Sequence, residues 1–179
     1  MSNSTVAYRY AKSLIDFASE KKVVNEVYTD MALFKGVCDE NRQFMAVMAN
    51  PIVRHDKKKA ILKKVFENNV NPVTYSIFDV LTRKNREGIL YSIAVEFEKL
   101  YDKLNGIQKA SVSTVEPLTA EQKAEFAKIV SEATGKKVEI EEKIDSSLIG
   151  GYLLKVGDLQ IDTSVRKKLN NLKLTLSKN

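Results

Sequence analysis

Cysteine and histidine each occur once in the 179 residues, as Cys38 and His55. A single cysteine excludes an internal disulfide and any cysteine-rich zinc site. A single histidine excludes a His–His metal pair and any mechanism that needs two imidazoles. Seven glycines and three prolines leave little room for long loops. The longest uninterrupted apolar run, Phe44 to Ala49, is six residues, far short of a bilayer-spanning helix. Charge of one sign does not dominate either: 29 Lys and Arg against 23 Asp and Glu give +6. That balance is basic but mixed, unlike a polybasic tail. Met1 to Thr5 is polar and has no signal-peptide core, so a mature N terminus and a cytoplasmic protein are expected. What is present is apolar material, 44% of the residues, enough to build cores and to exclude global disorder.

The first 105 residues read as successive helices. Ala7, Ala11, Leu14, Ile15 and Ala18 recur at helical spacing between about Ser4 and Lys21. Val24, Val27, Met31, Phe34 and Cys38 form a narrow seam on a second helix. Phe44, Val47 and Met48 mark a short third helix that Asn50-Pro51 stops. A fourth, from about Arg54 to Asn68, places Ile61, Leu62, Val65 and Phe66 inward and Lys57, Lys58, Lys59, Lys63 and Lys64 outward. Asn71-Pro72 opens a fifth as cap and first-turn proline, with Val73, Ile77, Phe78 and Leu81 as its stripe. Leu90, Ile93, Phe97, Leu100, Tyr101 and Leu104 give a sixth, from about Glu87 to Leu104. Six helices with short connections predict an antiparallel bundle.

At Asn105-Gly106 the period changes to two. Ile107 to Val115 reads as a strand, and Thr119 with Gln122 forms a capping box for a helix burying Phe126, Ile129, Val130 and Ala133. Gly135 ends that helix. Strands follow at Val138–Ile144 and Tyr152–Val156, then a Gly157-Asp158 turn into Leu159–Ile161. Asp162 is positioned to cap a last helix carrying Val165, Leu169, Leu172 and Leu176. The expected fold is mainly α: a six-helix bundle over 1–105, then a small α+β domain over 106–179 with a β-α-β-β hairpin and a C-terminal helix.

Few residues invite chemistry. Gly150-Gly151 would bring backbone N–H groups to a phosphate, but no Lys-Ser/Thr pair opens a helix after it. A bulge or a close backbone approach is the simpler account. His55 beside Asp56 suits an exposed helix start, and Cys38 on the apolar stripe suits a small buried hydrophobe. The lysine clusters at 57–59, 63–64 and 167–168 leave a basic nucleic-acid-binding module as the alternative function, although no RNP-like strand or GxxG loop accompanies them. An enzyme would have to gather His55 and a distant carboxylate into one pocket.

The stretch Val138-x-Ile140-x3-Ile144-Asp145-x2-Leu148-x-Gly150-Gly151-Tyr152-x-Leu154-Lys155-x-Gly157 resembles the signature of the ATP synthase delta subunit family, whose mitochondrial member is the oligomycin sensitivity-conferral protein. Ile161-Asp162-x-Ser164-Val165-Arg166-x2-Leu169-x2-Leu172 is similar to its C-terminal helix, with Thr163 where many members have glycine. Arg9-Tyr10-Ala11-Lys12-x-Leu14 resembles its first helix, and Asn50-Pro51 with Ala60-Ile61-Leu62 its middle. The resemblance implies a non-catalytic peripheral-stalk adaptor of an F-type enzyme, on the cytoplasmic face of the bacterial inner membrane and reaching the membrane only through the complex. It implies that the bundle binds amphipathic N-terminal helices of the alpha subunits, and that the smaller domain meets the C-terminal region of the b subunits. Neither a cofactor nor a metal nor nucleic acid is expected. For the alpha-subunit contact the expected residues are Tyr8, Ala11 and Ile15 on the first helix and Ile77 and Phe78 on the fifth. For the stalk contact, or as structural signature, they are Gly150, Gly151, Val165, Leu169 and Leu172.

Overall fold

The computed structural model describes residues 3–176, so Met1 and Ser2 of the polar N-terminal stretch lie outside the described residues. The chain divides into two compact units, Met1–Asp102 and Lys103–Asn179. The division falls in the last turn of a helix, just ahead of the change of period at Asn105-Gly106.

The first unit is helical: α1 (Asn3–Glu20), α2 (Val24–Glu40), α3 (Arg42–Ala49), α4 (His55–Phe66), α5 (Pro72–Arg83), a 3-10 turn (Glu87–Ile89) and α6 (Leu90–Leu104). Asn71 caps α5, its side chain accepting from the Val73 N–H at 2.9 Å, and Pro72 fills the first turn, where no N–H is needed. Asn41 caps α3 through the Phe44 N–H at 3.0 Å. Phe34 of α2 is the hub of the core: its ring lies 6.1 Å from Phe44, 5.4 Å from Phe66 and 5.1 Å from Phe78. α1 joins through small side chains, with Ala7, Ala11 and Ala18 fully buried beside Leu14 and Ile15.

Two buried polar contacts add to the aromatic cluster, one of them reaching the 3-10 turn as well. Asp30 of α2 accepts from the Asn71 N–H at 2.7 Å and from Thr74 Oγ1 at 2.6 Å, so a carboxylate sits at the N-terminus of α5, where the helix dipole favours it. Lys58 corrects the outward lysine face expected of α4. Its ammonium is buried, donates to the Met48 carbonyl at 3.0 Å and faces Glu87 at 3.5 Å, closing the end of α3 onto α4 and the 3-10 turn. The spacing explains the placement, since Lys58 stands four residues before Leu62 and eight before Phe66 on the buried stripe. Val65, expected inside, is partly exposed.

The second unit holds β1 (Ile107–Thr114), α7 (Ala120–Thr134), β2 (Lys137–Ile144), a 3-10 turn (Ser146–Leu148), β3 (Tyr152–Val156), β4 (Leu159–Asp162) and α8 (Val165–Leu176). The sheet order is β2-β1-β3-β4. β1 runs parallel to β2 through the α7 crossover, in register from Ile107↔Lys137 to Thr114↔Ile144, and antiparallel to β3. β3 and β4 form the hairpin. The capping box at Thr119 and Gln122 is present, and Gly135 ends α7 with φ 67°. The core is small: Ala110, Val112, Val130 and Leu154, with Phe126 and Tyr152 edge to face at 4.9 Å. Ile129 and Ala133, expected to be buried, are exposed, because α7 lies on the sheet along the narrower 126–130 line.

Gly151 fixes how α8 leaves the sheet. Its φ is +77°, and a Cβ there would stand 2.6 Å from the Thr163 carbonyl oxygen. The crossing is sealed by the Thr163 N–H donating to the Tyr152 carbonyl and the Val165 N–H to the Gly150 carbonyl, each at 3.0 Å. Thr163 strengthens the crossing, its hydroxyl also donating to the Tyr152 carbonyl at 3.0 Å. The cap of α8 is Ser164, whose Oγ accepts from the Lys167 N–H at 3.2 Å. Asp162, the expected cap, instead accepts from the Ser164 N–H at 2.9 Å and shapes the turn before the helix.

Lys58→Met strands the Glu87 carboxylate in the core and is expected to cost about 3–5 kcal/mol of stability in urea unfolding, most of it regained in Lys58→Met/Glu87→Leu. A loss within about 0.5 kcal/mol, the range of ordinary surface substitutions, would mean that the pair holds nothing together. Gly151→Ala is expected to lower stability by at least about 1–3 kcal/mol from its backbone angle alone, with the clash added. Gly36→Ala, in α2 with open space around the new methyl, is the control and should be neutral or stabilising by about 0.5–1 kcal/mol. Equal effects of the two substitutions would remove the account of the crossing.

Candidate functional site

Within the first unit, α1 and α5 flank an apolar groove of about 190 Å³, lined by Tyr10, Ser13, Leu14 and Phe17 from one helix and Ser76, Ile77 and Val80 from the other. Leu14 and Ile77 are nearly buried and form the floor, while Phe17 and Val80 are each 41% exposed and stand as walls. Two serines keep the rims short. The lining recurs at steps of three and four on both helices, so it runs as a strip along them. Tyr10 is held by its hydroxyl, which accepts from Arg86 Nη1 at 3.3 Å. Such a trough offers apolar surface with a few hydroxyls and no charge.

The five side chains expected at the alpha-subunit contact separate under the structure. Ile77 lines the groove. Ala11, Ile15 and Phe78 are packed into the bundle core and offer no surface, because they fall on the inward stripe that the periodicity itself marks. Tyr8 is half-exposed but does not line the groove. Phe17 and Val80, which are not among the expected residues, also line the groove; their signal is a large apolar side chain standing beside, and not within, the buried stripe of its helix.

In the second unit, Gly150 and Gly151 serve the backbone crossing, and a Cβ on Gly150 would meet Val165 Cγ2 at 3.1 Å. Val165, Leu169 and Leu172 lie on α8, which buries none of its described side chains. Ile149, before the glycine pair, is exposed and has a φ of 67°. Glycine pair, Ile149 and the 114–118 loop border a wide, mostly polar depression. Asp145 and Asp162 frame this corner, and both carboxyls are held below their ordinary range by hydrogen bonds from Ser147 and Ser164 respectively.

Other candidates carry less. His55 pairs with its neighbour Asp56 at 3.0 Å on the exposed first turn of α4. Burial, with Asp39 beside it, pushes the Cys38 thiol up to about 12, so it stays protonated and unreactive at neutral pH. Lys59 is bound to Asp79 at 2.6 Å and Lys63 to Glu67 at 3.5 Å. With Lys58 buried, three of the five lysines of α4 are engaged within the protein. Among the described residues, no cluster of His, Cys, Asp or Glu is arranged to hold a metal, and no helix is long and apolar enough to cross a membrane.

The family model described as ATP synthase delta (OSCP) subunit matches residues 6–176. The ATP synthase subunit delta of Cytophaga hutchinsonii is 46% identical over 173 residues, spanning 97% of this chain and 94% of that one. That of Flavobacterium psychrophilum is 39% identical over 177 residues, 99% of each chain. In fold, a chain of the Toxoplasma gondii mitochondrial ATP synthase hexamer is similar with a TM-score of 0.74 at 23% identity, covering 95% of this chain and 96% of that one. With nearly its whole length matched both by the family model and by these relatives, the chain belongs to the ATP synthase delta (OSCP) subunit family.

Proposed function

We propose that the chain is a peripheral-stalk adaptor of an F-type ATP synthase, joining the catalytic head to the b subunits and catalysing nothing itself. The first unit, residues 1–105 in the sequence division, takes amphipathic N-terminal helices of the alpha subunits. The second, residues 106–179, meets the C-terminal region of the b subunits. The protein sits at the cytoplasmic face of a bacterial inner membrane and is held there through its complex.

The observation that carries this reading is the α1–α5 groove. An amphipathic helix presents an apolar stripe, and Leu14, Phe17, Ile77 and Val80 give that stripe a floor and two walls without a buried charge to desolvate. Binding to such a pre-built surface does not require the bundle to reorganise. An adaptor under load needs stable contact surfaces, and the phenylalanine core beneath the groove supplies a stiff base.

Phe17→Ser and Val80→Asp alter the walls without opening the core. Each removes apolar contact of about 2 kcal/mol, so affinity for an alpha-subunit N-terminal peptide should fall about thirtyfold in calorimetric titration. Leu33→Asp, on an exposed position of α2 outside the groove, should leave it unchanged. Unaltered binding by both wall variants would place the head contact elsewhere on the bundle.

A further inference from the structure

The described residues of α8 form a helix with no buried side chain, and four of its five apolar positions are ordered along one line, with Leu174 off it. Val165, Leu169, Leu172 and Leu176 follow at steps of four, three and four and are 37%, 52%, 59% and 76% exposed. Steps of that kind are a 3.5-residue repeat, which stays in line along a second helix and not along a strand. Twelve residues are too few for a helix to be stable alone in water. Among the described residues, side-chain contacts that hold α8 include, at its first turn, the Ser164 cap, the packing of Val165 on Gly150 and a 3.3 Å hydrogen bond from Arg166 to Ser147. Beyond that turn the seam faces solvent.

The flanks identify the kind of helix that fits. With Val165 and Leu172 at d and Leu169 and Leu176 at a, the e positions are Arg166 and Lys173 and the g positions are Lys168 and Thr175. Three of these four flanking positions are cationic, and Val165–Leu176 contains no Asp or Glu. Arg166 is engaged by its hydrogen bond to Ser147, which leaves Lys168 and Lys173 exposed beside the seam. A second copy of α8 would set lysines against lysines, so a homotypic pair is opposed by its own charge.

We propose that α8 is one strand of a coiled-coil seam whose other strand is an amphipathic helix with acidic residues flanking its apolar positions. This deepens the stalk contact proposed above by naming the chemistry of the segment that docks, and it rests on that reading only for which subunit supplies it. Ile149, exposed beside the Gly150 crossing, adds an apolar contact near the N-terminal end of the seam.

The test uses the full chain and synthetic three-heptad peptides with leucine at a and d. One carries glutamate at every e and g, one carries lysine there, and one keeps the glutamates but replaces the seam leucines by serine. Like-charged flanks discourage each peptide from pairing with itself. The glutamate-flanked peptide should bind about tenfold or more tightly than the lysine-flanked one, attraction to Lys168 and Lys173 in the first and repulsion by them in the second being worth about that factor together, and should weaken as salt rises. Lys168→Glu/Lys173→Glu should invert the preference, and Leu169→Ser/Leu172→Ser should abolish binding with far-UV circular dichroism of the rest retained. Equal binding of the two leucine peptides, no binding of the glutamate-flanked one, or binding that survives the leucine variant overturns the proposal. A C-terminal segment of the enzyme's own b subunit is titrated in parallel. If that segment fails while the glutamate-flanked peptide binds, the stalk reading falls and the acidic-helix surface stands. If the b segment binds and the glutamate-flanked peptide does not, this proposal alone falls.

Discussion

Phe34 meets three other phenylalanines at ring distances of 5.1 to 6.1 Å, and through them α2 is packed against α3, α4 and α5 at once. Interior packing at such density resists small displacements, so the four helices are positioned mainly by ring shape. α1 brings no ring to this cluster; it lies on the bundle through alanines, which let a helix approach closely but fill little volume. The groove beside it is a consequence. Where α1 runs along α5, serines occupy the rims and larger side chains stand at the floor and walls, leaving apolar surface that the fold does not cover. The core and the candidate site are therefore two results of one packing arrangement.

The second unit is built on a different economy. Its buried cluster is four residues with a ring of half-buried neighbours, and much of its order comes from backbone pairing around β1 and from the Gly151 crossing. A sheet this small contributes modest hydrophobic stabilisation. Its geometry is set by close backbone approach and by short side-chain hydrogen bonds at Asp145, Asp162 and Ser164. α8 follows from that crossing and gains no core of its own.

Most elements were legible because period and punctuation agree locally. Asn71-Pro72, Thr119 with Gln122 and Gly135 mark helix ends through hydrogen bonds that close within a few residues, and the structure places those ends accordingly. Gly150-Gly151 is legible as a close approach, although the segment it approaches, Thr163-Ser164, lies a dozen residues on. The burial of Lys58 and Asp30 is not legible locally. Both stand on the buried stripe of their helices, Lys58 four residues before Leu62 and Asp30 between Val27 and Phe34. Their partners, Glu87 in one case and Asn71 and Thr74 in the other, are 29 to 44 residues away, and nothing local announces them. The groove was hidden for the same reason. It exists between helices about sixty residues apart, whereas periodicity within one helix marks only its inward stripe, to which Ala11, Ile15 and Phe78 belong as core.

The two surfaces differ in what binding must supply. The groove is complete before a partner arrives, so its partner meets uncharged, ordered surface, and the association should depend mainly on apolar contact. α8 offers a seam that its own unit does not cover, edged by exposed lysines, so a partner there must both complete the helix packing and answer the charge. Salt weakens exposed charge contacts and leaves apolar burial nearly untouched or stronger. An adaptor of the proposed kind would then hold two neighbours by contacts that respond in opposite directions to the same ions. Under the proposed adaptor role, rising ionic strength should loosen the end at α8 first while the groove keeps its grip, which would make the second unit the salt-sensitive end of the tie.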